Sequence, residues 1–216
     1  CSMVTLEKTK SLYSFDIFDT LITRRVGTPS GIFALMQEKI ASDKRFPEEF
    51  RNDFFDIRVE SEKYARDVSK SVHGFNEIYF EDIYSYIQKE FNFTSEIIKY
   101  LKELEIETEI ENIVPIKQNI DKIKKLLSEG ENVVLISDMY YTSETLRRIL
   151  SHVDPIFNNI KIYVSSEQSS AKWDGGLFKK VGKEEGVEYR NWKHIGDNKF
   201  SDVRNAAKLG IQSELY

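Results

Sequence analysis

Hydrophobic positions follow two different rhythms along this chain. Towards both ends they come as short runs bounded by polar or turn residues: LYSF (12–15), NVVLI (132–136), IKIYV (160–164) and KHI (193–195). Short runs without polar alternation are what strands buried on both faces of a parallel sheet need. Between the later runs the period changes to that of a helix. In NIDKIKKLLSE (119–129), Ile120, Ile123, Leu126 and Leu127 share one face, and Gly130 stands where a helix would close. SDVRNAAKLG (201–210) reads as another short helix ending in glycine, and the closing IQSELY reads as a strand. Strand alternating with helix predicts right-handed crossovers and an open, Rossmann-like α/β sheet.

The middle of the chain keeps the helical rhythm alone. Thr28-Pro29 supplies an N-cap and a first helical residue. Phe50, Phe54, Ile57 and Tyr64 then share a face, as do Phe80, Ile83, Tyr84, Ile87 and Phe91, and later Ile97, Ile98, Leu101 and Leu104. The pattern predicts an all-helical insertion over 28–112, roughly 85 residues, between the first and second strands of a core made of 1–27 and 113–216. The aromatic residues of the insertion are expected to be mostly packing. The acidic run LEIETEIEN (104–112) is expected to be a solvated helix face.

Composition narrows the picture. A chain of 216 residues with 40% hydrophobic content, 11 tyrosines and 14 phenylalanines can build a core domain with a smaller insert. The net charge of −5 argues against a nucleic-acid partner, which calls for a basic stripe. No run of eighteen apolar residues provides a membrane span. Cys1 is the only cysteine, which rules out an intramolecular disulfide and a cysteine-rich metal site and fits a reducing cytoplasm. The opening CSMVTLEKTK lacks the apolar core of a signal peptide.

The chemistry gathers at the ends of the apolar runs. LYSF is followed by Asp16, NVVLI by Ser137-Asp138, and KHI by Gly196-Asp197, with Asp202 close behind; after IKIYV the loop SSEQSSAK reaches Lys172. Loops beyond the carboxyl ends of parallel strands converge on one pocket. Asp16, Asp197 and Asp202 would repel one another there unless a cation joined them, and an all-oxygen set without histidine or cysteine suggests magnesium. Such a site suits phosphoryl transfer: an aspartate attacks phosphorus, while a serine hydroxyl and a lysine ammonium hold the oxygens. Arg24 and Arg25 are expected to be solvated, with the option that one clamps a phosphate. His73, His152 and His194 show no pattern and receive no role.

The set DIFDT, LISD, a later lysine and GDNKFSD resembles the four motifs of the haloacid dehalogenase (HAD) superfamily of hydrolases, in order and over essentially the whole chain. The helical insertion resembles that family's C1-type cap. FDIFDTLITR with ISDMYYT is similar to a bacterial subgroup of HAD hydrolases, some of which occur next to, or fused with, glycosyltransferases; the resemblance implies such an association. It also implies a magnesium-dependent phosphohydrolase for a small phosphorylated metabolite, working through an aspartyl-phosphate. Asp16 would be nucleophile and Mg2+ ligand, with the Phe18 backbone carbonyl and Asp197 as further ligands and Asp202 as ligand or support. Thr20 would steady the loop, and Ser137 and Lys172 would bind phosphate. Two departures matter. Trp173 follows the lysine where the family often has proline. Phe18 stands where its phosphatases carry an acid, so Asp19 or Asp138 would have to supply the proton, and Phe18→Asp would be expected to help alkyl substrates. The alternatives are a phosphate-binding or regulatory module with little turnover and a metal-independent dehalogenase, whose halide leaves without a proton.

Overall fold

The computed structural model describes residues 9–75 and 77–216, so the Cys1 reading lies outside the described residues. The chain opens with β1 (Leu12–Phe15), a turn through Asp16, and β2 (Ile22–Arg24). Four helices follow: α1 (Pro29–Ile40), α2 (Glu48–His73), α3 (Phe80–Phe91) and α4 (Ser95–Asn112). Thr28 caps α1 through a bond from the Gly31 N–H, with Pro29 in the first turn, as the Thr-Pro pair predicts. The chain returns through β3 (Ile113–Pro115), α5 (Lys117–Ser128), β4 (Val133–Ser137), α6 (Ser143–Ser151), β5 (Lys161–Val164), α7 (Ser165–Gln168) and α8 (Gly176–Glu185). It ends with β6 (Trp192–Gly196), a π-turn over Lys199–Arg204, α9 (Asn205–Lys208) and β7 (Gln212–Leu215).

Five strands form one sheet in the order β5-β4-β1-β6-β7, all parallel. The central position of β1 explains its composition: Leu12, Ser14 and Phe15 are buried because helices cover both faces. β2 and β3 pair separately as an antiparallel ribbon, through which the chain leaves and re-enters the sheet layer. Its strands have three residues each, too few to carry a readable alternation. One apolar cluster runs from Phe15 and Ile17 of the core through Ile32 and Met36 of α1 to Phe50, Phe54 and Tyr84, so the cap packs on the core without a break. No helix among the described residues is long and apolar enough to cross a membrane.

Three expectations need correction. The run LEIETEIEN is not a solvated face: Glu105 and Glu109 are 0% and 1% exposed. Glu105 accepts both arms of the buried Arg58 at 2.7 and 2.9 Å and the Tyr84 hydroxyl at 2.6 Å. Buried carboxylates persist when a cation and further donors replace the lost water. Arg24 is not part of a solvated pair either; it is buried against Glu109, whereas Arg25 is exposed. Finally, 201–210 is not one helix, because the π-turn before α9 turns Asp202 inward.

Candidate active site

The carboxyl ends of the central strands deliver the polar residues to one place. Asp16 leaves β1 with its N–H bonded to the Ile195 carbonyl of the neighbouring strand. Ser137 ends β4 and is 2% exposed. Lys172 comes from the segment after α7, where Ser169 turns the chain with φ of 50°. Its backbone is pinned on both sides: the N–H donates to the Asp138 carboxylate at 2.9 and 3.2 Å, and Asn205 donates to its carbonyl at 3.2 Å. Held this way, the lysine is 2% exposed, and its Nζ meets Asp16 Oδ1 at 2.8 Å and Asp202 Oδ1 at 2.5 Å.

Asp202 reaches the site because residue 196 is glycine. A Cβ there would lie 2.2 Å from Asp202 Cγ, so any larger residue would push the π-turn away. Asp202 Oδ2 accepts the Asn198 N–H at 3.1 Å, and Oδ1 is shared by Lys172 and His194 Nε2 at 2.8 Å. Burial works against charge on Asp202, but the Lys172 ammonium and the His194 N–H outweigh it and hold the carboxyl down at about 2.

Behind Asp202 lies a polar relay that no sequence motif marks. Trp192 Nε1 donates to Ser14 Oγ at 2.7 Å, and Ser14 Oγ meets His194 Nδ1 at 2.7 Å. An indole N–H only donates, so the serine proton goes to Nδ1 and the imidazole carries its own proton on Nε2, facing Asp202. Burial keeps His194 below the ordinary histidine range, so it is neutral. Its readable signal was a polar residue in the middle of a buried strand, directly opposite Ser14 in the β1–β6 register.

Asp16 lies in the opposite situation to Asp202. Burial pushes its carboxyl up to about 7 against the pull of Lys172, and the Asp202 charge and the adjacent Asp197 carboxyl add to the rise. Asp16, Asp197 and Asp202 each offer an oxygen within 4.8 Å of the others. With Asp16 ionised, three carboxylates against one ammonium leave two negative charges, which a divalent cation would balance, so the all-oxygen donor set fits magnesium. Asp202 already has both oxygens occupied and is better placed as support than as a ligand.

The remaining sequence candidates separate. Asp19, at φ 65°, is exposed and accepts the Thr23 hydroxyl at 2.9 Å, which ties it to the turn before β2. Asp138 is itself exposed, although its two oxygens accept the Lys172 N–H; the protein around it raises its carboxyl to about 6 despite the nearby Lys172 cation. Thr20 is buried, its carbonyl bonded to Asn119 Nδ2 at 2.8 Å and its hydroxyl without a protein partner. Arg24 is turned to Glu109 in a fork-to-fork pair at 2.9 and 3.0 Å, so its donors are not presented to a phosphate. A cavity of about 490 Å³ opens beside Asp138, lined also by Met139, Trp173, Arg66 and Glu77. Trp173, the departure after the lysine, is 59% exposed there. A larger groove of about 890 Å³ runs along α2 and α3 and contains none of the site carboxylates.

No protein-family model matches the sequence, and no curated protein matches it. Solved structures do resemble it. A 2-haloacid dehalogenase from Pseudomonas syringae pv. Tomato DC3000 superposes with a TM-score of 0.59 at 14% identity, over 96% of this chain and 86% of that one. A HAD family enzyme from Bacteroides thetaiotaomicron, in its magnesium complex, gives 0.60 at 16% identity, over 97% and 94%. A predicted phosphoglycolate phosphatase from Haemophilus somnus 129pt gives 0.53 at 14% identity, over 96% and 85%. At these identities the likeness concerns the fold: a Rossmann-like parallel α/β sheet with an inserted helical cap, as in HAD hydrolases.

Proposed function

We propose that the protein is a magnesium-dependent phosphohydrolase that cleaves a small phosphorylated metabolite through an aspartyl-phosphate on Asp16. The observation that carries this reading is the buried Asp16–Lys172–Asp202 cluster with Asp197 at its edge, because its charge balance calls for a divalent cation. Asp16, Asp197 and the Phe18 carbonyl would hold Mg2+, which supplies charge neutralisation on the phosphoryl oxygens.

The chain's own groups divide the reaction as follows. Lys172 holds one Asp16 oxygen, so the other is the one directed at phosphorus. As the Asp16 oxygen bonds to phosphorus, the bond to the leaving oxygen breaks and its electron pair departs with that oxygen. Lys172 and Ser137 Oγ take up charge on the phosphoryl oxygens. A water then attacks phosphorus, which releases inorganic phosphate and regenerates the Asp16 carboxylate. For the proton transfers we take Asp138 ahead of Asp19, because it stands beside Lys172 of the cluster and its carboxyl is raised to about 6, close to neutrality.

The second reading, a metal-independent dehalogenase, draws on Phe18 and on the dehalogenases among the structural neighbours. The uncompensated negative charge of the cluster speaks against it. Purified protein assayed on p-nitrophenyl phosphate, with and without Mg2+, separates the two. Hydrolysis that needs Mg2+ and disappears in Asp16→Asn is expected; halide release from a 2-haloacid in EDTA, with no phosphatase activity, would replace this reading by the second.

A further inference from the structure

Phe18 stands two residues beyond Asp16, where an acid would be expected, and its ring is already in use. The Arg24 guanidinium carbon lies 4.0 Å from the ring centroid. The same guanidinium sends Nε and Nη2 to the two oxygens of Glu109, with the side chains of Arg24 and Glu109 only 6% and 1% exposed. A guanidinium taken out of water needs acceptors at its edge and a polarisable surface on its face. Glu109 supplies the first and Phe18 the second.

These three side chains belong to three parts of the molecule. Phe18 lies in the nucleophile loop, Arg24 ends β2, and Glu109 sits on cap helix α4. The Tyr141 hydroxyl, from the loop after β4, lies 3.4 Å from a Glu109 oxygen and 3.3 Å from a Glu105 oxygen and has one proton to share between them. Glu105 in turn holds Arg58 of α2. The stack therefore joins the loop that carries Asp16 to the buried ionic network of the cap.

We infer that Phe18 is a positioning residue rather than a gap left by a lost acid: its ring seats the Arg24–Glu109 pair and thereby fixes the nucleophile loop against the cap. A carboxylate at this position would lie against the guanidinium and pair with it. It would therefore stay ionised and donate no proton, and Phe18→Asp would not restore an acid, contrary to what the sequence alone leads one to expect.

A double-mutant cycle on the full chain tests this. Phe18→Leu removes the ring, and Arg24→Lys keeps the charge on Glu109 but removes the planar face; both and their combination are compared by urea unfolding and by kcat and KM on p-nitrophenyl phosphate with Mg2+. Phe18→Leu should lower kcat about 2–30-fold, the range of a cation–π contact, with KM little changed. The double variant should be no worse than the more affected single, and Phe18→Tyr should recover most of the loss. Phe18→Asp should lower the rate on aryl and alkyl phosphates alike. Losses that multiply in the cycle, or a Phe18→Asp variant that gains activity on alkyl phosphates, would overturn the inference. The kinetic arm rests on the proposed phosphohydrolase. If the wild type hydrolyses no phosphate ester, that reading fails, while the unfolding arm still decides: coupled stabilities uphold the contact and additive ones reject it. Should Phe18→Leu not fold, Phe18→Met, which also lacks the ring but keeps more of its volume, closes the same cycle with Arg24→Lys.

Discussion

Gly196 gives its missing Cβ to Asp202. Because a methyl there would sit 2.2 Å from the Asp202 carboxyl carbon, Gly196→Ala must displace the π-turn and pull Asp202 from Lys172. We expect a loss of about 10²-fold or more in kcat/KM, in line with misplacement of a catalytic constellation by about 1 Å, and overpacking that costs about 1–3 kcal/mol of stability. Steady-state kinetics alongside urea unfolding check both. Asp138 gives a pH prediction. Its carboxyl, raised to about 6, donates only while protonated, so kcat on alkyl phosphates should fall as pH rises through about 6. Aryl phosphates, whose leaving groups are stable anions, should show little of this limb, and Asp138→Asn should remove it for alkyl esters. Asp16, Ser137, Lys172, Asp197 and Asp202 stand out in the sequence because they follow, directly or after a short polar segment, apolar runs that mark strands. Ser14 and Trp192 do not, and His194 shows only as a polar residue inside a buried strand, since their partners appear only when β1 and β6 lie side by side.

At the scale of elements, a residue's partner decides whether it is legible. The apolar runs mark β1, β4, β5 and β6 within a residue or two, because a buried parallel strand has no other way to be written. The helices of the cap show through their own periodicity. The acidic face of α4 misleads, because Glu105 is matched by Arg58 on α2, 47 positions away, and no local pattern shows such a pairing. Breaking that pair leaves a buried charge without a counter-ion. Glu105→Leu should destabilise the fold by about 3–5 kcal/mol, whereas Arg58→Leu with Glu105→Leu should regain much of the loss; urea midpoints of the three proteins test this. A double variant as unstable as the single would mean that the remaining donors, Tyr84 and Tyr141, carry the cost.

At the scale of the whole molecule, the cap and the sheet share one apolar cluster, and the site lies where they meet. On the proposed reading, its charge should make stability depend on pH and on Mg2+. The Asp16 carboxyl has a folded value near 7, above its ordinary 3.8. The folded state therefore holds a proton that the unfolded chain releases, and in the absence of metal stability falls as pH rises from about 4 to about 7. Asp16→Asn lacks this contribution, so the wild type should lose stability relative to it across that window. Mg2+ should raise the wild-type melting temperature more at pH 8 than at pH 5 and leave the variant nearly unmoved. The most direct measurement of the account is mass spectrometry of the peptide containing Asp16 after acid quench of the protein turning over p-nitrophenyl phosphate with Mg2+. A phosphoryl group on Asp16, absent from Asp16→Asn and from a reaction in EDTA, is the predicted result; phosphate release at full rate with Asp16 unmodified, or undiminished in Asp16→Asn, would contradict it.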